Sequence, residues 1–270
     1  MEVHSLGYRT DLMLRVLEGA QVEDHRDHLV VRTPGNPAFW WGNFLLLAAP
    51  PEAGQASWWL DRFAAEFPDA RHVALGVDGA GETANTDVVD QQSIHAVELV
   101  AAGLRLQLLT VMTATRVHEP PRPNRTAAYR PLTGDDDWRQ SAELSAACYG
   151  DEASEWTFLQ ARADAARALT ESGQGFWLGA FREGQLAAQL GLVGCGPGLA
   201  RFQNVETHPA ARREGLAGTL VYEAVRHGRQ ALGEGSLVMV ADPADAAIRV
   251  YRSVGFAGVE AQVGFDRPPG

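Results

Sequence analysis

Between residues 200 and 232 the chain reads as a strand, a six-residue turn and a helix, and this unit limits the fold more than any other stretch. Ala200 to Thr207 has the composition of a strand and is broken by Pro209. From Ala217 onward, Leu220, Val221, Ala224, Val225 and Leu232 recur at helical spacing. The turn between them is Arg212-Arg213-Glu214-Gly215-Leu216-Ala217. A helix N-terminus presents N–H groups without intrahelical partners and the positive end of the helix dipole, so a turn placed there receives anions. Gly215 and Ala217 leave the backbone open to a phosphate, while Arg212 and Arg213 supply charge and donors. An α/β fold with a phosphorylated ligand at this turn is the expectation.

At 270 residues the chain suits two domains. Glu119-Pro120-Pro121-Arg122-Pro123-Asn124-Arg125 marks the division, because its prolines exclude a helix and favour an extended segment. The expected layout is a first domain over 1–118, a linker over 119–127 and a second domain over 128–270. The chain is 46% hydrophobic, enough for two cores, yet no apolar run approaches membrane-spanning length. Met1-Glu2-Val3-His4 lacks the basic start and apolar core of a signal peptide, so a cytoplasmic protein is expected. Cys148 and Cys195 give neither a metal spacing nor a disulfide framework, and the eight histidines show no metal spacing.

The net charge of -11 argues against a nucleic-acid surface, which needs clustered positive charge. It fits a cationic small molecule or basic peptide as partner, although acidity also serves solubility. Lysine is absent, so Schiff-base chemistry on lysine is excluded.

After the linker, the pattern is β-α-α-β-β-β-α-β-α-β. A short strand at Ala128–Pro131 precedes helices at Asp135–Cys148 and Trp156–Thr170. Strands at Phe176–Phe181 and Leu186–Val193 are joined at Gly184 as a hairpin. Beyond the anion turn come an unbroken apolar strand, Leu237–Ala241, and a helix from Pro243 to Ser253 that stops at Gly255. One or two closing strands follow from Phe256. The first half reads as a helix at Leu6–Leu17, a strand at His28–Thr33 and a buried strand within the aromatic and aliphatic run Phe39–Leu47. A helix at Gly54–Phe67, a strand at His72–Val77, a polar loop at Gly79–Asp90, a helix at Ile94–Ala102 and a long strand at Leu104–Met112 complete it.

Arg212, Gly215 and Ala217 match the Gln/Arg-x-x-Gly-x-Gly/Ala signature of the GNAT acetyltransferases. Downstream, Asp242-Pro243-Ala244 through Tyr251 to Gly255-Phe256 resembles that family's strand-end Asn, Ala, Tyr and closing Gly-Phe, with Asp242 in the Asn position. The resemblance covers roughly Ala128 to Phe265. It implies acetyl-CoA as co-substrate, no metal, and transfer of the acetyl group to a primary amine of a small molecule or peptide. The pyrophosphate would lie on the N–H groups of Arg213, Glu214, Gly215, Leu216 and Ala217, and the pantetheine arm along the backbone of Val205 and Thr207.

Acetyl transfer to an amine requires a proton for the leaving thiolate. Tyrosine, with a pKa near about 10 against about 8.5 for a thiol, can supply it at neutral pH. Tyr251 shares a helical stripe with Ala244, Ala247 and Ile248 and on the residues alone reads as core; the resemblance assigns it the acid role. Glu206 alternates with Val205 and Thr207 and reads either as a base for the amine or as a solvated or salt-bridged strand carboxylate. The N–H of Val205 is the candidate oxyanion donor. His208, before a proline, reads as structural.

The first half repeats the order strand, turn, helix, strand, helix, Gly, with Gly54-Gln55-Ala56 standing where Gly215-Leu216-Ala217 stands. Pro51 occupies the Arg212 position and Leu99 the Tyr251 position. It reads as a degenerate GNAT-like domain, or else as an unrelated α/β domain. The expected architecture is therefore α/β (α+β): two GNAT-like domains, each a mixed sheet flanked by helices, the C-terminal one complete. Phe39, Trp40, Trp41, Trp58 and Trp59 read chiefly as packing residues, with a cation-π pocket as the alternative. Asp151, Glu152 and Glu155 read as surface charge or as carboxylates for an acceptor ammonium. An acyl-CoA sensor that has lost the chemistry is the competing function, a nucleotide-binding protein is disfavoured by the missing Walker lysine, and a homodimer is left open.

Overall fold

A computed structural model describes residues 1–79, 96–149, 156–232 and 235–269. The chain divides into two compact units. Unit 1 comprises Met1–Met112, Val240–Pro243 and Gly258–Gly270; unit 2 comprises Thr113–Met239 and Ala244–Ala257.

Unit 1 contains α1 (Leu6–Leu17), β1 (Gln21–Asp24), β2 (His28–Arg32), β3 (Phe44–Leu47), α2 (Ala56–Glu66), β4 (Val73–Val77), α3 (Ala96–Ala101) and β5 (Arg105–Ala114). Its strand order is β1-β2-β3-β4-β11-β5, where β11 is the closing strand Ala257–Arg267. Strands β3 and β4 are parallel; β1/β2, β2/β3 and β4/β11 are antiparallel. Two-residue alternation sorts the sheet's side chains onto two faces. Leu45, Leu47, Leu75, Val77, Val263 and Phe265 share a core with Trp59, Phe63 and Leu99. Phe44, Leu46, Ala74, Leu29 and Val31 pack with Tyr8 of α1 on the other.

Two expectations are corrected here. The strand within Phe39–Leu47 is confined to Phe44–Leu47, and Trp40–Gly42 forms a 3-10 turn. Asn43 organises that turn: its Oδ1 accepts from Thr33 N (2.9 Å), and its Nδ2 donates to the carbonyls of Asn36 (3.0 Å) and Phe39 (2.9 Å). The second correction concerns the domain layout, in which the closing strand was expected in the second domain. Instead β11 pairs with β4, Val263 opposite Val77 and Phe265 opposite Leu75, and 258–270 belong to unit 1. Its inward side chains are among the most deeply buried of that core.

Unit 2 contains β6 (Ala128–Pro131), α4 (Gly134–Tyr149), α5 (Trp156–Glu171), β7 (Gly175–Arg182), β8 (Gln185–Gly194), β9 (Leu199–Thr207), α6 (Leu216–Leu232), β10 (Ser236–Ala241) and α7 (Ala247–Ser253). Its strand order is β10-β9-β8-β7-β6, antiparallel except for β9 with β10. Helix α6 packs on β7–β9, α4 on β8 and β9, and α5 on β7. Gln189 of β8 reaches α4, while Leu192 packs at Gly228 of α6, so these helices cover opposite faces. The helix expected from Pro243 begins at Ala247, whose N–H donates to Asp245 Oδ1 (2.9 Å).

Strand β9 carries the feature that aims the site. Gln189 faces Glu206 but Gly191 faces Gln203, so one extra residue bulges out of β9. Asn204 sits in that bulge with φ +47, and its side-chain oxygen accepts from Arg162 of α5. The parallel register with β10 covers only Leu199–Arg201 against Ser236–Val238, whereas pairing with β8 continues to Thr207.

Candidate active site

A cavity of about 690 Å³ opens in unit 2 at the end of β9. Its walls are Val205, Glu206 and Thr207 of β9, residues 211–213 and 215–218 of the turn, Asp245–Ala247, Val250 and Tyr251 beside α7, Cys148 of α4, and Pro120–Arg122.

The turn expected to receive an anion is tightly curled. Arg213 and Gly215 are both left-handed (φ +66 and +79), which curls successive N–H groups into a concavity before α6 starts at Leu216. Arg212, Arg213, Gly215, Leu216 and Ala217 all line the cavity. Glu214 does not: its carboxylate pairs with Arg182 of β7, which holds it below the usual carboxylate range. Arg212 is turned back toward β9, its Nε donating to the Thr207 carbonyl (3.3 Å). His208 caps its own turn, Nδ1 accepting from Ala210 N (3.2 Å).

The proline-rich segment expected as a linker lies instead within unit 2, strapped over this turn. Asn124 N donates to Thr219 Oγ1 (2.8 Å) and Asn124 Nδ2 to the Glu214 carbonyl (3.0 Å). A Cβ on Gly215 would come within 2.3 Å of the Arg122 carbonyl oxygen. The strap thereby brings Arg122 to the cavity beside Arg212 and Arg213. No local pattern in the sequence ties residues 120–124 to a turn some ninety positions later.

Tyr251 is 5% exposed and lines the cavity. Burial, reinforced by the charge of Asp245, pushes its phenol well above the ordinary tyrosine value, so it stays protonated. Glu206 is 9% exposed. Its Oε2 accepts from Ser145 Oγ (2.7 Å) and Gln189 Nε2 (2.7 Å), while Oε1 is buried without a hydrogen-bond partner. Glu206 is thus not the solvated carboxylate that was one reading of it. Cys148, which the sequence reading left without a role, faces the Thr207 carbonyl (Sγ to O 3.5 Å). Burial and then the Glu206 charge raise its thiol, partly offset by Arg212. Asp151, Glu152 and Glu155 lie outside the described residues.

The corresponding turn of unit 1 keeps the left-handed glycine, Gly54 at φ +82. Its N–H is taken by the chain's own carboxylate: Gly54 N lies 2.9 Å from both Oε1 and Oε2 of Glu98. Leu99, in the position corresponding to Tyr251, is fully buried core. Of the tryptophans, Trp59 is buried with that core and Trp58 is half exposed against it.

Residues 138–256 match the model of the Acetyltransferase (GNAT) family. No curated protein matches the sequence. Among solved structures, the chain is similar to a GCN5-related N-acetyltransferase from Kribbella flavida (TM-score 0.64, 15% identity, 98% of each chain). A functionally unknown conserved protein from Staphylococcus epidermidis superposes at TM-score 0.68, with 10% identity over 93% of this chain and 95% of that one. The tandem GNAT protein from the clavulanic acid biosynthesis pathway aligns at TM-score 0.57 and 14% identity, over 97% of this chain and 88% of that one. Residues 138–256 thus resemble the GNAT acetyltransferase family, and the chain shares its fold with these structures, a tandem GNAT protein among them. Among the described residues no helix is long and apolar enough to cross a membrane.

Proposed function

We propose that this tandem GNAT-fold protein is a cytoplasmic N-acetyltransferase that moves an acetyl group from acetyl-CoA to a primary amine of a small molecule or peptide. The observation that carries the reading is the meeting, in one cavity, of a left-handed anion turn, a protonated tyrosine and a buried carboxylate with one free oxygen.

The residues present fit the co-substrate. The turn offers curled N–H groups from Arg213 to Ala217, and Arg122, Arg212 and Arg213 add positive charge at the same wall. Val205 and Thr207 offer strand backbone beyond the reach of the β10 register, suited to an amide-bearing arm. Acetyl-CoA, when bound, supplies an activated acyl group on sulfur.

Glu206 Oε1 receives the proton that an ammonium must lose before its nitrogen can attack. The Val205 N–H, at the bulge, is the donor for the carbonyl oxygen as the new C–N bond forms and the C–S bond breaks. Tyr251 gives its phenolic proton to the departing sulfur. Glu206 passes the ammonium's first proton to solvent; the second, lost by the nitrogen as the amide forms, returns to Tyr251 through Glu206 and water, so that amide, thiol and one released proton are the products and both groups end as they began. Unit 1, with its turn occupied by Glu98 and leucine in place of tyrosine, takes no part in the chemistry.

The test is thiol release from acetyl-CoA across a panel of primary amines, with Tyr251→Phe as control. At least one amine should turn over, and the variant should lose about 100-fold or more in kcat while binding CoA normally. Tight CoA binding with no turnover on any amine would return the protein to the sensor class.

A further inference from the structure

Glu206 is held by a set of side chains that no motif marks. Gln189, on β8, is 1% exposed, and Ser141 and Ser145, one turn apart on α4, are buried beneath it. Ser141 acts twice on the Gln189 amide: its hydroxyl donates to Oε1 (2.6 Å) and its carbonyl accepts from Nε2 (3.1 Å). That pair of bonds fixes which end of the amide faces Glu206, because a reversed amide would set its oxygen against the Ser141 carbonyl and the Glu206 carboxylate, acceptor against acceptor. The Nε2 group so oriented gives its second hydrogen to Glu206 Oε2 (2.7 Å), shared with the longer contact to Ser145 Oγ (3.1 Å). Ser145 in turn spends its only hydroxyl proton on the same Glu206 oxygen (2.7 Å).

Both donors of the network therefore converge on Oε2, and none serves Oε1. A buried carboxylate oxygen without a donor carries an uncompensated desolvation cost, which a ligand N–H or water can remove. Glu206 is among the residues lining the cavity, and because Oε1 is closed to solvent in this structure, a donor arriving from the cavity reaches it after a small side-chain movement. We infer that Ser141, Ser145 and Gln189 form a clamp that positions Glu206 and turns Oε1 into a subsite for a primary ammonium, selecting cationic amines over alcohols of the same shape. Gln189 and Ser145 are positioning residues: they act through Glu206 and not on the acceptor. The inference rests on the proposed reaction for its acceptor but is tested without turnover.

The experiment is a ligand-observed NMR titration of the CoA-saturated protein with n-butylammonium chloride, and in parallel with n-butanol, its uncharged counterpart. Wild-type protein should bind the ammonium at least about tenfold more tightly than the alcohol, the scale of one charge-assisted hydrogen bond. Glu206→Gln should bring the ammonium down to the level of the alcohol. Gln189→Leu and Ser145→Ala should each weaken the ammonium about fivefold without altering alcohol or CoA affinity, and Ser145→Thr should restore it. Equal binding of ammonium and alcohol, or ammonium affinity unchanged in a Gln189→Leu/Ser145→Ala double variant, would overturn the inference. Should Glu206→Gln fail to fold, the two serine variants decide the matter. Ammonium selectivity without acetyl transfer to any amine keeps the subsite and sinks the transfer reaction; transfer without that selectivity does the reverse.

Discussion

The two left-handed glycines permit a controlled test of the anion turn. Gly215 and Gly54 have nearly the same backbone angle, φ +79 and +82. Placing alanine in either costs the left-handed penalty, roughly 1–2 kcal/mol. Their surroundings differ. At Gly54 nothing lies within 4 Å of the new Cβ, so the conformational penalty is the whole cost. At Gly215 the Cβ would stand 2.3 Å from the Arg122 carbonyl oxygen, a backbone atom that no rotamer change can withdraw. The strap must move, straining the Asn124 bonds to Thr219 (2.8 Å) and Glu214 (3.0 Å), and overpacking of this kind costs about 1–3 kcal/mol. We expect Gly215→Ala to destabilise by about 2–5 kcal/mol and Gly54→Ala by about 1–2 kcal/mol, measured by urea unfolding. CoA titration by calorimetry should show at least about a tenfold loss for Gly215→Ala, the scale of 1.4 kcal/mol, and no change for Gly54→Ala. Equal destabilisation by the two variants would refute the docked strap. Normal CoA affinity in Gly215→Ala would refute the turn as a phosphate cradle.

Other outcomes follow from single contacts. Arg122→Ala should weaken CoA binding about twofold to fivefold and flatten its salt dependence, because an exposed guanidinium contributes a screened charge; an unchanged affinity across ionic strength would remove Arg122 from the site. Cys148, whose thiol is raised by burial and by Glu206, should react slowly with iodoacetamide at pH 7 and faster as pH rises. Glu206→Gln removes one of those raising influences and should speed the labelling, while bound CoA should block it; mass spectrometry of the labelled peptide reads both, and CoA-independent labelling would place the thiol outside the site. The raised phenol of Tyr251 keeps its proton to higher pH than a free tyrosine, so the pH profile of kcat should show no alkaline fall through the ordinary tyrosine range near about 10. A fall centred there, absent in Tyr251→Phe, would contradict the buried acid.

What the sequence determined by itself is what a few adjacent residues can dictate. Strand Leu199–Thr207, the turn and α6 follow one another, so glycine, arginine and the apolar stripe declare the turn without outside help. The helix of Tyr251 was legible from its stop at Gly255, a local signal, but the residues alone read Tyr251 as core, and its acid role came from the family resemblance. Periodicity likewise marked most strands and helices, since it reports which face of an element is buried. It does not report what that face is buried against. The pairing of β11 with β4, the strap of Asn124 on Thr219, and the Gln189–Glu206 contact join residues distant in sequence, and each was decided by packing. The bulge at Asn204 also escaped the sequence, because an extra residue in β9 exists only relative to β8. Most telling is the turn itself. The sequence showed charge at the second copy and Pro51 in its place at the first, but only tertiary structure put Glu98 into one and left the other facing a cavity. Whether a helix-start turn is empty depends on which side chains the rest of the fold delivers to it.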